Sequence, residues 1–549
     1  MKKRPDIIII NPDEMRWDSM GHAGNRAALT PCLDQFVREE AVSFSHAFCQ
    51  NPVCVPSRCS SFTGLYPHVH GHRTMSYLLH EGEPSVFSEL KKSGYYVFMN
   101  DRNDLAAGQI HGLLEEHADE IYYGENIPPA PGPIENLRGE PGNGFYYSHF
   151  GGRLGLDANG RNYSRDDAAV DAAIHRIKNR KDDRPLCIFL GLMLPHVPYQ
   201  IEEPYYSGCD RSLLPPRVKF SDCSGKSKMM QAIHQYAGTS ALSEKEWDEI
   251  RAVYLGMCRK VDDLFSRILS ALKEAGTYDD SAIFFLSDHG DFAGDYDLPE
   301  KAQNTFEDCL TRVPFIVKPP KGEGVDPGVS DSMTELIDFY ATVMDYAGVI
   351  PSHTHFGKSL RPIIKNRKER NRDYVFCEGG RLPAETHCDE FHDFGPRGMS
   401  PRIDYYPKGK AQTDPAAHEK AVMIRSDQYK LVFRSITENE FYDLTEDPQE
   451  KINRIHDTRY REVIAEMKES MLKWLISTDD IVPFERDSRF NPKMLFARAV
   501  AIASPDDFGQ MQKMFQEGRP FVEIMQFARE SSKKRNAEAS PSSNSNFIR

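Results

Sequence analysis

The sequence predicts an α/β fold: a large mixed, mostly parallel sheet flanked by helices, followed by a smaller C-terminal subdomain built on an antiparallel sheet. Two patterns carry this expectation. The apolar runs Ile7–Ile10, Leu186–Leu190 and Ala282–Leu286 are short, unbroken and rich in β-branched or aromatic residues. Such runs suit strands covered on both faces, as in a parallel sheet between two helix layers. Stretches with helical periodicity lie between them, and the alternation holds to about residue 380. Beyond it, Ala421–Arg425, Tyr429–Phe433 and Glu440–Asp443 follow one another closely, as strands of an antiparallel sheet do.

Taken in order, Ile7–Ile10 is a strand stopped by Asn11-Pro12. Thr30-Pro31 with Leu33, Phe36 and Val37 opens a helix with proline in its first turn. Ser61-Phe-Thr-Gly64 continues a second helix, which puts Cys54 near its amino end. Ser85–Lys92 reads as a helix and Tyr95–Met99 as a strand, whereas residues 106–180, rich in Gly and Pro, read as long surface loops. Ser243-Glu-Lys-Glu246 is a capping box for a long helix ending near Ala275, with Gly276 as terminator. Arg312–Val317 is a further strand, residues 378–420 a loop-rich insertion, and Arg459–Ile476 an amphipathic helix. The implied organisation is 1–380 for the main domain, 381–480 for the subdomain, 481–530 for a helical extension suited to homo-oligomer contacts or to closing the pocket, and 531–549, rich in Ser and Asn, for a disordered tail.

A net charge of −14 excludes a general nucleic-acid binder, which needs basic surface to displace counterions. Any anionic substrate must therefore meet a local cluster of positive groups. The four isoleucines near the N-terminus fall short of a signal-peptide core, and no run approaches the ~18 apolar residues of a membrane span. Eleven cysteines, an odd number, fit a reducing compartment, so the expectation is a cytoplasmic protein without a membrane anchor.

Several residue types point to chemistry. Asp13-Glu14 stands just past the first strand's carboxyl end, where ligands bind in open α/β sheets. Cys54-Val-Pro-Ser-Arg58 sets a thiol beside a fixed positive charge at a helix amino end, which favours anions. His196 is held between Pro195 and Pro198 after the strand Leu186–Leu190. Ser287-Asp-His-Gly-Asp291 ends another strand with a carboxylate, an imidazole and a glycine that permits a sharp turn, a combination suited to a metal. Lys301 follows in a polar loop. His68, His70 and His72 alternate, as metal ligands on one face of an extended segment would, or as part of a polar loop.

The order of these segments resembles the formylglycine-dependent sulfatases, which share the alkaline-phosphatase-like fold with phosphonate and phosphate ester hydrolases. The resemblance covers roughly residues 5–480: Asp13-Glu14, Cys54 to Gly64 with Leu65-Tyr-Pro-His68, His196, Asp288-His-Gly290, Lys301 ahead of Arg312-Val-Pro314, and Phe441 to Pro448. It implies a divalent metal, calcium or a manganese-like ion, held by Asp13, Glu14, Asp288 and His289. It also implies that a maturation enzyme oxidises Cys54 to formylglycine. One hydroxyl of the hydrated aldehyde would attack sulfur and the other collapse to expel sulfate, with Asp288 accepting a proton. Arg58 would fix that hydroxyl, Lys301 the sulfate oxygens, and His196 would protonate the leaving alkoxide. The implied substrate is a small sulfated carbohydrate.

Two positions depart from the family. Counting from Gly94-Tyr95, Arg102 takes the place of a lysine and Asp104 that of a histidine in the common Gly-Lys-Trp-His-Leu segment. Arg102 keeps the charge, whereas Asp104 would repel sulfate unless paired. Glu14 replaces an aspartate with a longer arm. These departures leave a phosphonate or phosphate ester hydrolase, and a non-catalytic binding homologue, as alternatives.

Overall fold

The computed structural model describes residues 4–107, 112–125, 127–135, 137–141, 145–395, 397–484 and 491–538. Its centre is an eight-stranded sheet in the order β10-β2-β9-β8-β1-β6-β3-β4. The strands are β1 (Asp6–Pro12), β2 (Val42–Phe48), β3 (Tyr96–Asn100), β4 (Glu120–Tyr122), β6 (Leu186–Leu192), β8 (Ser281–Leu286), β9 (Phe315–Lys318) and β10 (Gly328–Glu335), with β5 (Phe150–Arg153) and β7 (Tyr199–Ile201) forming a separate pair. Only β9 runs against its neighbours; β10 with β2, and β8, β1, β6, β3 and β4 in turn, pair in parallel.

The four isoleucines of β1 divide between two cores because successive side chains of a strand point to opposite faces. Ile8 and Ile10 join Ile188, Leu190 and Phe285 against helices Pro31–Glu39, Arg165–Lys178 and Glu244–Glu274. Ile7 and Ile9 join Phe189 and Phe284 against helices Cys54–Thr63, Val86–Lys92 and Ile337–Ala347. The central strands are fully buried, and the fold is the α/β class expected. Ser243 caps the long helix with Glu246 as the capping box requires.

A four-stranded antiparallel sheet follows: β11 (Val375–Gly379), β12 (Ala421–Arg425), β13 (Tyr429–Arg434) and β14 (Glu440–Asp443). Its first strand precedes the expected boundary at 380, and the insertion between β11 and β12 includes helix Tyr406–Gln412. Met1–Val482 form one compact unit and Pro483–Arg549 a second. In the second, helices Pro492–Ile502, Phe508–Gln516 and Phe521–Glu538 pack through Ala499, Met511, Ile524 and Ala528. Among the described residues no helix is long and apolar enough to cross a membrane.

Three expectations are corrected. Residues 106–180 are not all loop: β4, β5 and helix Arg165–Lys178 lie within them. That helix is stabilised by a Ser164–Asp167 capping box, and its buried stripe is made largely of alanines, too weakly apolar to stand out in the sequence. The strand expected at Arg312–Val317 begins at Phe315, after a turn. The disorder expected from Ser531 gives way to a helix that runs to Glu538; residues 539–549 lie outside the described residues.

Candidate active site

The site lies at the carboxyl end of β1 and β8. Asp13 follows β1 and takes a backbone hydrogen bond with Leu192 at the end of β6. Ser287, after β8, donates its hydroxyl to the Pro12 carbonyl, so the two strand ends are tied and Asp13 and Asp288 face each other. Gly290 then passes under the next segment: a Cβ there would lie 2.0 Å from the Cys309 carbonyl oxygen, so no other residue fits.

Cys54 is the first residue of helix Cys54–Thr63. Pro56 falls in the first turn, where its missing N–H would have no intrahelical partner. Cys54 Sγ sits 3.1 Å from His289 Nε2 and 3.5 Å from Asp13 Oδ1. One turn on, Arg58 is fully buried; its Nε donates to Asp288 Oδ2 at 2.8 Å and its Nη2 to Asp13 Oδ2 at 2.9 Å. Arg58 therefore orients the two carboxylates. Arg102 also reaches Asp13 Oδ2 and stands 3.5 Å from Asp104. The unfavourable Asp104 is thus paired, as a carboxylate near a sulfate site must be.

On the other side of Cys54, Lys301 Nζ donates to His196 Nε2 at 2.8 Å and to Glu300 Oε1 at 2.8 Å. His196 Nδ1 bonds the Val197 carbonyl, which fixes the neutral tautomer with Nε2 as acceptor. Glu14, at φ 70°, splits its contacts. Its backbone N donates to Asp288 Oδ1 at 3.2 Å, its Oε1 accepts from the Lys301 backbone N at 2.9 Å, and its Oε2 lies 3.5 Å from Lys301 Nζ. All of the expected residues converge on one site.

Burial works to raise the pKa of Asp13, but Arg102 and Arg58 hold it well below the carboxylate range. Burial pushes Glu14 well above its ordinary value, with Lys301 offsetting only part. Burial, then the Lys301 charge, pushes His196 well below the usual imidazole value. Burial and the Asp13 charge likewise hold the Cys54 thiol protonated, so as a thiol it is a poor nucleophile.

Donor atoms of Asp13, Cys54, Asp288 and His289 lie within 4.8 Å of one another, and so do those of Asp13, Glu14 and His196. An oxygen-rich set completed by one imidazole fits a hard divalent cation. Glu14 stands with His196 rather than with Asp288 and His289, so it would join such an ion by turning from Lys301.

Other residues of the site carry little signal in the sequence. Asp291 closes the Ser287–Asp291 segment, whereas Glu300 has no cue beyond its place before Lys301. Asp291 is buried, accepts the Tyr199 hydroxyl at 2.6 Å, and burial raises its pKa to about 6. Tyr405 and Lys408, from the insertion, have no such cue. Lys408 Nζ pairs with Glu300 and donates to the Lys301 carbonyl at 3.0 Å. Both line a cavity of about 360 Å³ that opens over Cys54, with Met75, Phe394 and Met399.

This fold and this site define a hydrolase of the alkaline-phosphatase-like class. The chain matches the sulfatase family model over residues 5–349 and belongs to that family, a family of sulfuric ester hydrolases. It is 24% identical to an arylsulfatase of Clostridium perfringens, covering 86% of this chain and 94% of the relative. It is 23% identical to an N-acetylglucosamine-6-O-sulfatase of Bacteroides thetaiotaomicron, covering 88% and 89%. The phosphonate monoester hydrolase of Agrobacterium radiobacter shares the fold, with a TM-score of 0.67, 20% identity, and coverage of 86% of this chain and 96% of that one.

Proposed function

We propose that the protein hydrolyses a sulfate monoester of a small carbohydrate, using formylglycine made from Cys54 by a maturation enzyme and one divalent metal, calcium or a manganese-like ion. The observation that carries this reading is the placement of Cys54 at a helix amino end, between His289 and Asp13, with Arg58 gripping both Asp13 and Asp288. Formylglycine at position 54 would supply the nucleophile, and Asp13, Asp288, His289 and Glu14 would hold the metal, which when bound would draw charge from the sulfuryl oxygens.

The chain's own residues do the rest. Arg58 helps keep Asp13 ionised and aims both Asp13 and Asp288. Lys301 presents its ammonium to a sulfate oxygen above Cys54. His196 would protonate the leaving oxygen once Nε2 has taken up a proton from solvent, and in the resting site that nitrogen accepts the Lys301 hydrogen bond. A small substrate suits a cavity of about 360 Å³ and an intracellular location, where it would arrive by import.

The test is turnover by metal-loaded, formylglycine-containing protein on sulfated mono- and disaccharides, alongside phosphonate and phosphate esters. Sulfate release from at least one sugar is expected, and Cys54→Ala should abolish it while keeping the fold. A preference for phosphonate or phosphate esters would favour the second reading, to which Arg102 and Asp104 lend their departure from the family pattern. No turnover of any ester would sink the proposal, and an unmodified Cys54 thiol in host-purified protein, read by mass spectrometry, would support a binding homologue.

A further inference from the structure

The loop after helix Cys54–Thr63 carries a second cluster of donor atoms. Gly71, at φ 80°, ends the short helical turn Pro67–His70 and reverses the chain. His70 and His72 then converge on Glu83: His70 Nδ1 is 3.0 Å from Glu83 Oε1, and His72 Nε2 is 3.0 Å from Glu83 Oε2. Donors of the three residues all lie within 4.8 Å of one another. A tetrahedral zinc ion with bonds of about 2.0 Å needs donors about 3.3 Å apart, close to the 3.0 Å at which each imidazole nitrogen stands from its own Glu83 oxygen.

The surroundings fit a ligand role. His72 is 5% exposed, and its Nδ1 bonds the Tyr77 carbonyl at 3.0 Å. That is the outer-shell bond that fixes a metal-binding imidazole with its other nitrogen free for the ion. The exposed His80 ring stands 5.6 Å from that of His72. His68 does not take part: it turns to Glu378 at 2.7 Å and to the Thr478 carbonyl at 2.8 Å. Two imidazoles and one carboxylate suit a borderline ion, in contrast to the carboxylate-rich active site.

We infer that His70, His72 and Glu83 form a second metal site of zinc type, which braces the loop beside the active-site cavity. The loop has something to brace. Met75 lines the cavity, Ser76 donates to Asp393 at 2.5 Å on the same wall, and Arg73 bonds the Gly380 carbonyl at 2.9 Å. An ion joining positions 70, 72 and 83 closes this segment into a cross-linked ring.

Cobalt(II), whose visible absorption reports tetrahedral coordination, is the probe, added to the full-length protein after saturation with calcium. The wild type should bind one cobalt or zinc ion with a tetrahedral spectrum, and zinc should raise its Tm. His72→Ala and Glu83→Gln should each weaken that binding at least tenfold and remove the Tm shift, while Asp288→Asn keeps both. Glu83→Gln preserves hydrogen bonding to the imidazoles, so its fold can be checked independently by circular dichroism. Retention of the spectrum in both loop variants, its loss in Asp288→Asn, or no binding by the wild type would each overturn the inference.

Discussion

The floor and the wall of the active-site cavity are built differently. The floor comes from two strand ends and one helix turn, and its charges are buried and reciprocally paired: Arg58 to Asp13 and Asp288, and Lys301 to Glu300 and Glu14. The wall comes from residues 380–412, where Phe394 is 54% exposed and Lys408 reaches the site from a short helix. The floor is pre-organised for one kind of reaction, since its groups cannot move without leaving a buried charge unpaired. The wall is tied to the floor where Lys408 pairs with Glu300 and donates to the Lys301 carbonyl. On the proposed function, reaction type would belong to the floor and substrate choice to the wall.

Substitutions on each side test this division. The largest effect is expected from Arg58→Met, which strands Asp13 and Asp288 in the core: a loss of about 3–5 kcal/mol in stability by denaturant titration and of nearly all turnover. Lys301→Ala should lower kcat about 10²–10³-fold, the cost of removing one donor to the developing charge, with the melting temperature changed far less. Lys408→Met should act mainly on KM, by about tenfold, with kcat nearly kept; a kcat loss equal to that of Lys301→Ala would place Lys408 in the floor and break the comparison.

The smallest kinetic effect is expected outside both regions. His117 is buried behind helix Val86–Lys92, bonded to Ser85 Oγ at 2.8 Å, and burial lowers its pKa from 6.5 to about 4. The unfolded chain therefore takes up a proton that the folded chain refuses in this window. The His117 contribution is intact above pH 6.5 and is lost as pH falls toward 4, by about 3 kcal/mol at most. His117→Gln should flatten the fall of Tm between pH 6.5 and 4 and leave turnover at pH 7 unchanged.

The same division governs what the sequence reveals. Floor residues sit at strand ends or helix starts, so Asp13, Asp288 and Cys54 are marked by the apolar run or the proline beside them. The segment bearing His196 shows its prolines, but not the support beneath: Asp166 takes the backbone N–H groups of Met193 and Leu194, each at 2.8 Å. Asp166 lies on the alanine-striped helix Arg165–Lys178, which has too little apolar contrast to be read as one. Tyr405 and Lys408 are brought in by tertiary contacts of a segment without periodicity, so nothing local distinguishes them from surface residues. Of the alternating His68, His70 and His72, the helical turn Pro67–His70 gives His68 to Glu378 and Thr478, while Gly71 turns the chain after His70.

Cys54 is 1% exposed, and the residue nearest its sulfur, His289, lies 235 positions further along the chain. That separation sets a clock. At roughly 5–20 residues per second of synthesis, about 10–50 s pass between the appearance of Cys54 and that of the strand end that covers it. On the proposed function, a maturation enzyme would have that interval in which to find an extended Cys54–Arg58 segment. Faster translation of the stretch between them would shorten it, and would release folded chains whose sulfur is sealed in unconverted.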